Sequence, residues 1–69
     1  MMKLARVIHR DDIPWHLSDG SWINPPVGTV VQVERKAHGI ISLYSVYFPS
    51  IQSPYIVIEF VFGLYFEFL

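Results

Sequence analysis

From Ile56 to Phe68 every even position carries a large apolar side chain: Ile56, Ile58, Phe60, Phe62, Leu64, Phe66 and Phe68, with no interruption. Alternate residues of a strand share one face, so this row predicts a strand whose even face is core along its whole length. The phase does not slip at Gly63. The segment is therefore either one strand of about 50 Å at roughly 3.3 Å per residue, or two strand halves bent at the glycine. A domain of 69 residues favours the bend, because a strand that long overruns its own sheet. The odd positions Tyr55, Val57, Val61, Tyr65 and Leu69 are also apolar, broken only by Glu59, Gly63 and Glu67.

Both faces of the segment thus call for cover, and a chain this short has one interior. The even face is expected to fill it. The odd face, Tyr55, Val57, Val61 and Tyr65, is expected to meet another protein or a second copy of the chain, because an exposed surface of this kind otherwise aggregates.

The rest of the chain also reads as β. Val, Ile, Thr, Phe, Tyr and Trp total 28 residues, against 19 for Ala, Leu, Met, Glu, Lys, Arg and Gln, so strand formers lead helix formers. Turn residues divide the sequence at Pro14, Ser18-Asp19-Gly20, Asn24-Pro25-Pro26, His38-Gly39 and Pro49 to Pro54. The first strand is predicted over Lys3 to His9. An irregular region follows from Arg10 to Pro26, too rich in proline for a regular element. A half-buried strand starts after Gly28, with Val31 and Val33 on one side and Gln32 and Glu34 on the other. A hairpin turn at Ala37-His38-Gly39 then leads into a third strand, Ile40 to Phe48, with Gly39 supplying a positive φ. No helix is required. The expected fold is all-β, one domain over residues 1–69: a small barrel, or a strongly bent antiparallel sheet of about five short strands. The order of Gly28-Thr29-Val30-Val31, a hairpin, and an Ile-Val-Ile-Glu-Phe strand resembles small SH3-like barrels in pattern, and it carries no functional residue across.

Residues able to support chemistry are few. The chain lacks cysteine, which excludes thiolate catalysis and cysteine metal sites. His9, Asp11, Asp12 and His16 are the side-chain types that bind zinc, but their spacing matches no established site and solvated loop residues explain them. Ser18, His16 and Asp19 supply the residue types of a nucleophilic triad within four positions, where neighbouring side chains point apart. Glu59 and Glu67 would lie about 26 Å apart on a straight strand. The expectation is a protein that is not an enzyme and needs no cofactor.

Aromatic residues on loops grip peptides or stack on bases, and Trp15 and Trp22 flank the Ser-Asp-Gly turn. One of them is expected to plug the barrel. The favoured function is a small non-catalytic interaction module, an accessory subunit, regulator or inhibitor, with Trp15, Trp22, Tyr55, Val57, Val61 and Tyr65 at its contact surface. The alternative is a nucleic-acid-binding barrel in which Arg6, Arg10, Arg35 and Lys36 neutralise phosphates beside Tyr44. The charges bear on both readings. The first 36 residues hold five bases and four acids, and the whole chain has a formal net charge of −1, which lacks the field of a non-specific nucleic-acid binder. Tyr55 to Leu69 is shorter than the roughly 20 residues of a membrane-spanning helix and holds two carboxylates. No targeting segment stands at the N-terminus, so a cytoplasmic location is the default expectation.

Overall fold

The computed structural model describes all residues from Met1 to Leu69. Strand β1 (Lys3–Val7) is followed by the short strands β2 (Trp15–His16) and β3 (Trp22–Ile23). The long hairpin β4 (Val30–His38) and β5 (Ile41–Tyr47) comes next, then β6 (Tyr55–Ile58), a helix α1 (Glu59–Tyr65) and a last strand β7 (Phe66–Phe68). The main sheet is antiparallel with the order β6-β5-β4-β1-β7, and β2 and β3 form a separate two-stranded ladder. The chain is mostly β, as its composition predicts. The sheet does not close into a barrel: β6 and β7 are its two edges, and α1 carries the chain from one to the other.

Register fixes which side of each strand faces the core, because directly paired residues share a face. Val33 pairs with Val46, Ala5 with Val31, and Val7 with Phe66, and all six are buried. Trp15, Leu17, Tyr44, Phe48, Val57 and Phe62 complete the core. The β4–β5 hairpin turns at Gly39 and Ile40, with His38 opposite Ile41 and Gly39 at φ 66°, where an L side chain is strained. The irregular region expected from Arg10 to Pro26 contains the β2–β3 ladder, in which Trp15 pairs with Ile23 and His16 with Trp22. Asp19 closes its turn by accepting hydrogen bonds from the Ser21 N–H at 2.9 Å and the Ser21 hydroxyl at 2.6 Å.

The last segment departs from its sequence reading. It contains a helix, and the even row is not a continuous core face. Phe62 and Phe66 are buried, while Ile56, Ile58, Phe60, Leu64 and Phe68 are exposed. The reason lies in two places. In β6, Tyr55 pairs with Val46 and Val57 with Tyr44, whose side chains point inward on β5, so the odd residues of β6 turn to the core. Beyond Ile58 the chain must pass from one sheet edge to the other, and α1 spans this gap. Nearly every residue here is apolar, so the sequence satisfies a helical spacing as well as a strand spacing. Phe62 lies on the inner side of α1, with Val61 and Tyr65 beside it, and Phe60 and Leu64 lie four apart on the outer side.

Gly63 therefore sits inside a helix and is not a bend. A methyl group built at Gly63 meets no atom within 4 Å, and its φ is not in the left-handed region. Gly63→Ala is accordingly expected to stabilise the fold by about 0.5–1 kcal/mol, since alanine loses less backbone entropy in a helix. A melting temperature that rises by a few degrees in circular dichroism fits the helix, and one that falls contradicts it.

Candidate functional site

The candidate interaction surface is built on β5, β6 and α1. Ile56 and Ile58 point outward from β6, and Ile58 lies beside Leu43 of β5. The chain continues into Phe60, 79% exposed, and Leu64, one helical turn further along the same side of α1. Because β6 runs antiparallel to β5 and ends at Leu43, α1 starts at the end of the sheet where the β4–β5 turn presents Ile40 and Ile41. A polar clamp holds this corner. Glu59 accepts hydrogen bonds from the Tyr44 hydroxyl at 3.1 Å and from Arg35 Nε at 3.3 Å, and Arg35 Nη2 donates to the Ser42 hydroxyl at 2.6 Å. Phe62 stacks at 4.4 Å from Tyr44 and 4.9 Å from Phe66, fixing the inner side of the helix.

The residues expected at the contact surface are placed differently from one another. Val57 is 5% exposed and belongs to the core, and Tyr55, Val61 and Tyr65 are half-buried against it. The expected assignment is thus reversed for these positions: the odd residues Tyr55, Val57, Val61 and Tyr65 support the fold, and Ile56, Ile58, Phe60 and Leu64 are left in solvent. The helical spacing of Val61 with Tyr65 and of Phe60 with Leu64 was the signal available in the sequence. Trp15, 6% exposed, belongs to the core: it stacks on Tyr55 at 5.2 Å and packs against Phe48, Phe66 and the edge of Tyr65. Trp22 is 61% exposed and stacks on His16 at 4.4 Å, on the outward side of the small ladder.

The register puts Arg6 and Lys36 on one face of the main sheet, well apart, and Arg35 on the other. Arg6 pairs with Glu67, and Lys36 lies 3.7 Å from Glu34. Arg6 is opposite Val30, and Lys36 is six residues further along β4, about 20 Å away at 3.3 Å per residue. Arg35 is taken up by Glu59 and Ser42. Arg10 ties the long loop together, donating to the Pro25 carbonyl and the Asn24 side-chain oxygen while its guanidinium lies 4.7 Å over Trp15. Tyr44 has its ring in the core and its hydroxyl on Glu59.

The polar constellations separate in the same way. His9 approaches Asp11 at 3.6 Å and stacks on Tyr65, whose hydroxyl donates to Asp11 at 2.6 Å. His16 is occupied by Trp22 and Asp19 by Ser21, and no three His, Asp or Glu side chains gather where a metal could be held. Glu59 and Glu67 are each held by a different arginine. Two open concavities of about 440 and 410 Å³ share Phe48, Pro49 and Ile51, and no charged side chain lines either one.

Three tyrosines titrate above their ordinary value. Burial raises Tyr44, and the adjacent Glu59 adds to the effect; burial followed by the Asp11 charge raises Tyr55; the hydrogen bond to Asp11 is the main cause for Tyr65, with burial second. A folded pKa above the unfolded one means that the folded state holds its proton longer. The resulting stabilisation is complete below about pH 10, the unfolded tyrosine value, and is lost as pH rises through the higher folded values. The urea midpoint is expected to fall as pH rises above about 10 and tyrosinate absorbance grows. A midpoint that holds constant while the tyrosines ionise would contradict these environments.

No known protein family, curated protein or solved structure matches the chain. No helix is long and apolar enough to cross a membrane.

Proposed function

We propose that the chain is a small non-catalytic interaction module that works by occupying a partner as an accessory subunit, regulator or inhibitor. The observation that carries this reading is that Ile56, Ile58, Phe60 and Leu64, large apolar side chains of β6 and α1, stand in solvent. Large apolar side chains exposed in succession along a strand and the helix after it favour a contact role, whereas single exposed apolar residues are ordinary. Trp22 offers a second, separate aromatic anchor on the β2–β3 ladder.

An SH3-like reading of the fold accompanies this proposal. Its support is the connectivity: β1 pairs with both β4 and the last strand β7, a long loop joins β1 to β4, β4, β5 and β6 form a meander, and a helical turn leads into the last strand. Modules of this kind act through surface residues held on a rigid sheet.

The test places p-benzoylphenylalanine at position 60 and, as a control, at the exposed apolar position 27 in the loop before β4, with irradiation in the protein's own host. Covalent adducts at 60 in clear excess over 27, to any protein, are expected. Equal or absent adducts at 60 would overturn the reading.

A further inference from the structure

We propose that the face of the main sheet turned away from the core carries a binding site for a small, uncharged and largely apolar molecule, between the Leu4-Gln32-Tyr47 row and the loop after β5. The site stands apart from α1 and from the contact reading above.

Register builds its floor. Leu4 of β1 lies opposite Gln32 of β4, and Gln32 lies opposite Tyr47 of β5, so the three form one row across the sheet. Ala5, Val31 and Val33, their neighbours in β1 and β4, are buried, which puts the row on the other face, together with Val30. Beyond Tyr47 the chain turns through Pro49 and Ser50, and the Ile51 N–H donates to the Phe48 carbonyl at 3.1 Å. The row, Val30 and this turn line a concavity of about 440 Å³.

Its size and chemistry select the occupant. Small-molecule sites run from about 300 to 1,000 Å³, with apolar walls and a few polar groups that fix orientation. Most of the lining is apolar, and none of it is charged. The charged residues elsewhere on this face are paired with one another, Arg6 with Glu67 and Lys36 with Glu34. An ionised ligand would therefore lose hydration here without meeting a counter-charge, whereas an uncharged one loses little. The polar groups that the lining residues offer are the Gln32 amide and the hydroxyls of Tyr47 and Ser50, and none of them makes a side-chain hydrogen bond within the chain. An amide both donates and accepts, so the fitting ligand has an apolar body and a hydroxyl, amide or amine group. Ser50 adds a further observation. It is the one non-glycine residue at positive φ, 64°, in a turn position after proline that ordinarily takes glycine. The chain bears that conformational cost at a residue of the lining, as residues that shape ligand sites do.

The experiment titrates the full chain into dilute N-phenylnaphthylamine, an uncharged apolar dye with a single N–H, and reads the rise in its fluorescence. Saturation is expected, with a midpoint at about 10 µM or below. Anilinonaphthalene sulfonate, the same ring system with a negative charge, is expected to bind about tenfold or more weakly. Leu4→Glu places a charge in the floor and is expected to weaken the uncharged dye about tenfold or more, with an unchanged far-ultraviolet circular dichroism spectrum. Should that variant unfold, Val30→Trp at an exposed position fills the concavity and is expected to give the same loss. Phe60→Asp, on the outer side of α1, is expected to leave the midpoint unchanged. No saturable rise up to about 100 µM overturns the site, as does undiminished binding in either variant when folded. A loss on Phe60→Asp alone places the dye on the contact surface and overturns it too. Equal binding of the sulfonate overturns the uncharged ligand class.

Discussion

Phe62→Ala is expected to remove most of the stability of the fold, while Phe60→Ala, two residues away, is expected to change it little. Phe62 is 3% exposed and packs its ring against Tyr44, Phe66 and Phe68, so truncation opens a cavity among aromatic neighbours that the short helix cannot collapse. A buried phenylalanine reduced to alanine costs about 3–5 kcal/mol. A chain of this length is expected to hold only about 3–10 kcal/mol in total, at roughly 0.05–0.15 kcal/mol per residue. Phe60 projects from the opposite side of α1, and its truncation is expected to stay within about 0.5 kcal/mol when measured at dilutions where association no longer contributes. The pair discriminates between the two periodicities that the segment can satisfy. On a strand, positions 60 and 62 would share a face and both truncations would be severe; on the helix they are opposed. Urea denaturation followed by circular dichroism gives the comparison, and equal losses at the two positions would contradict the helix.

The tryptophans supply the second contrast. Trp15→Ala is expected to cost about 3–5 kcal/mol, as for other large buried aromatics. Trp15 is the point at which Tyr55 from β6, Tyr65 from α1, Phe66 from β7 and Phe48 converge, and Arg10 lies over its ring while bonding to Pro25 and Asn24. Removing the ring thus frees the long β1–β4 loop as well as opening the core. Trp22→Ala removes only an exposed ring and its stack on His16, and is expected to shift the urea midpoint slightly. If Trp22→Ala destabilises the chain as much as Trp15→Ala, the small ladder is a structural element and Trp22 is no free anchor.

What the sequence disclosed follows from how singular each pattern is. Val31 and Val33 alternate with Gln32 and Glu34, and this supports only a half-buried strand; the β4–β5 hairpin appears where Gly39 permits the turn. The segment after Pro54 was harder because an almost wholly apolar run satisfies period 2 and period 3.6 together. Its phase is decided by long-range pairing. Val57 faces inward because it lies opposite Tyr44, and α1 forms because the chain must cross from the β6 edge to the opposite edge, where β7 pairs with β1. Neither constraint is local. The candidate surface was legible as a property of the segment, since both faces of it demanded cover. Its residues were not, because the identity of the outer face rests on a register that Ile56 to Phe68 alone does not encode. The bases concentrated in the first 36 residues suggested a possible shared face, yet Arg6, Arg10, Arg35 and Lys36 are each drawn to a different local partner.

The central claim is that Phe60 and Leu64 on the outer side of α1 belong to a contact surface. Hydroxyl-radical footprinting of the chain, purified and in extract of its host, reads this most directly, with Val27 in the loop before β4 as an internal reference. Phe60 and Leu64 are expected to be labelled strongly in the purified chain and shielded in the extract, while labelling of Val27 stays constant. Labelling of Phe60 and Leu64 that is the same in both, or shielding that appears at Val27 instead, would contradict it.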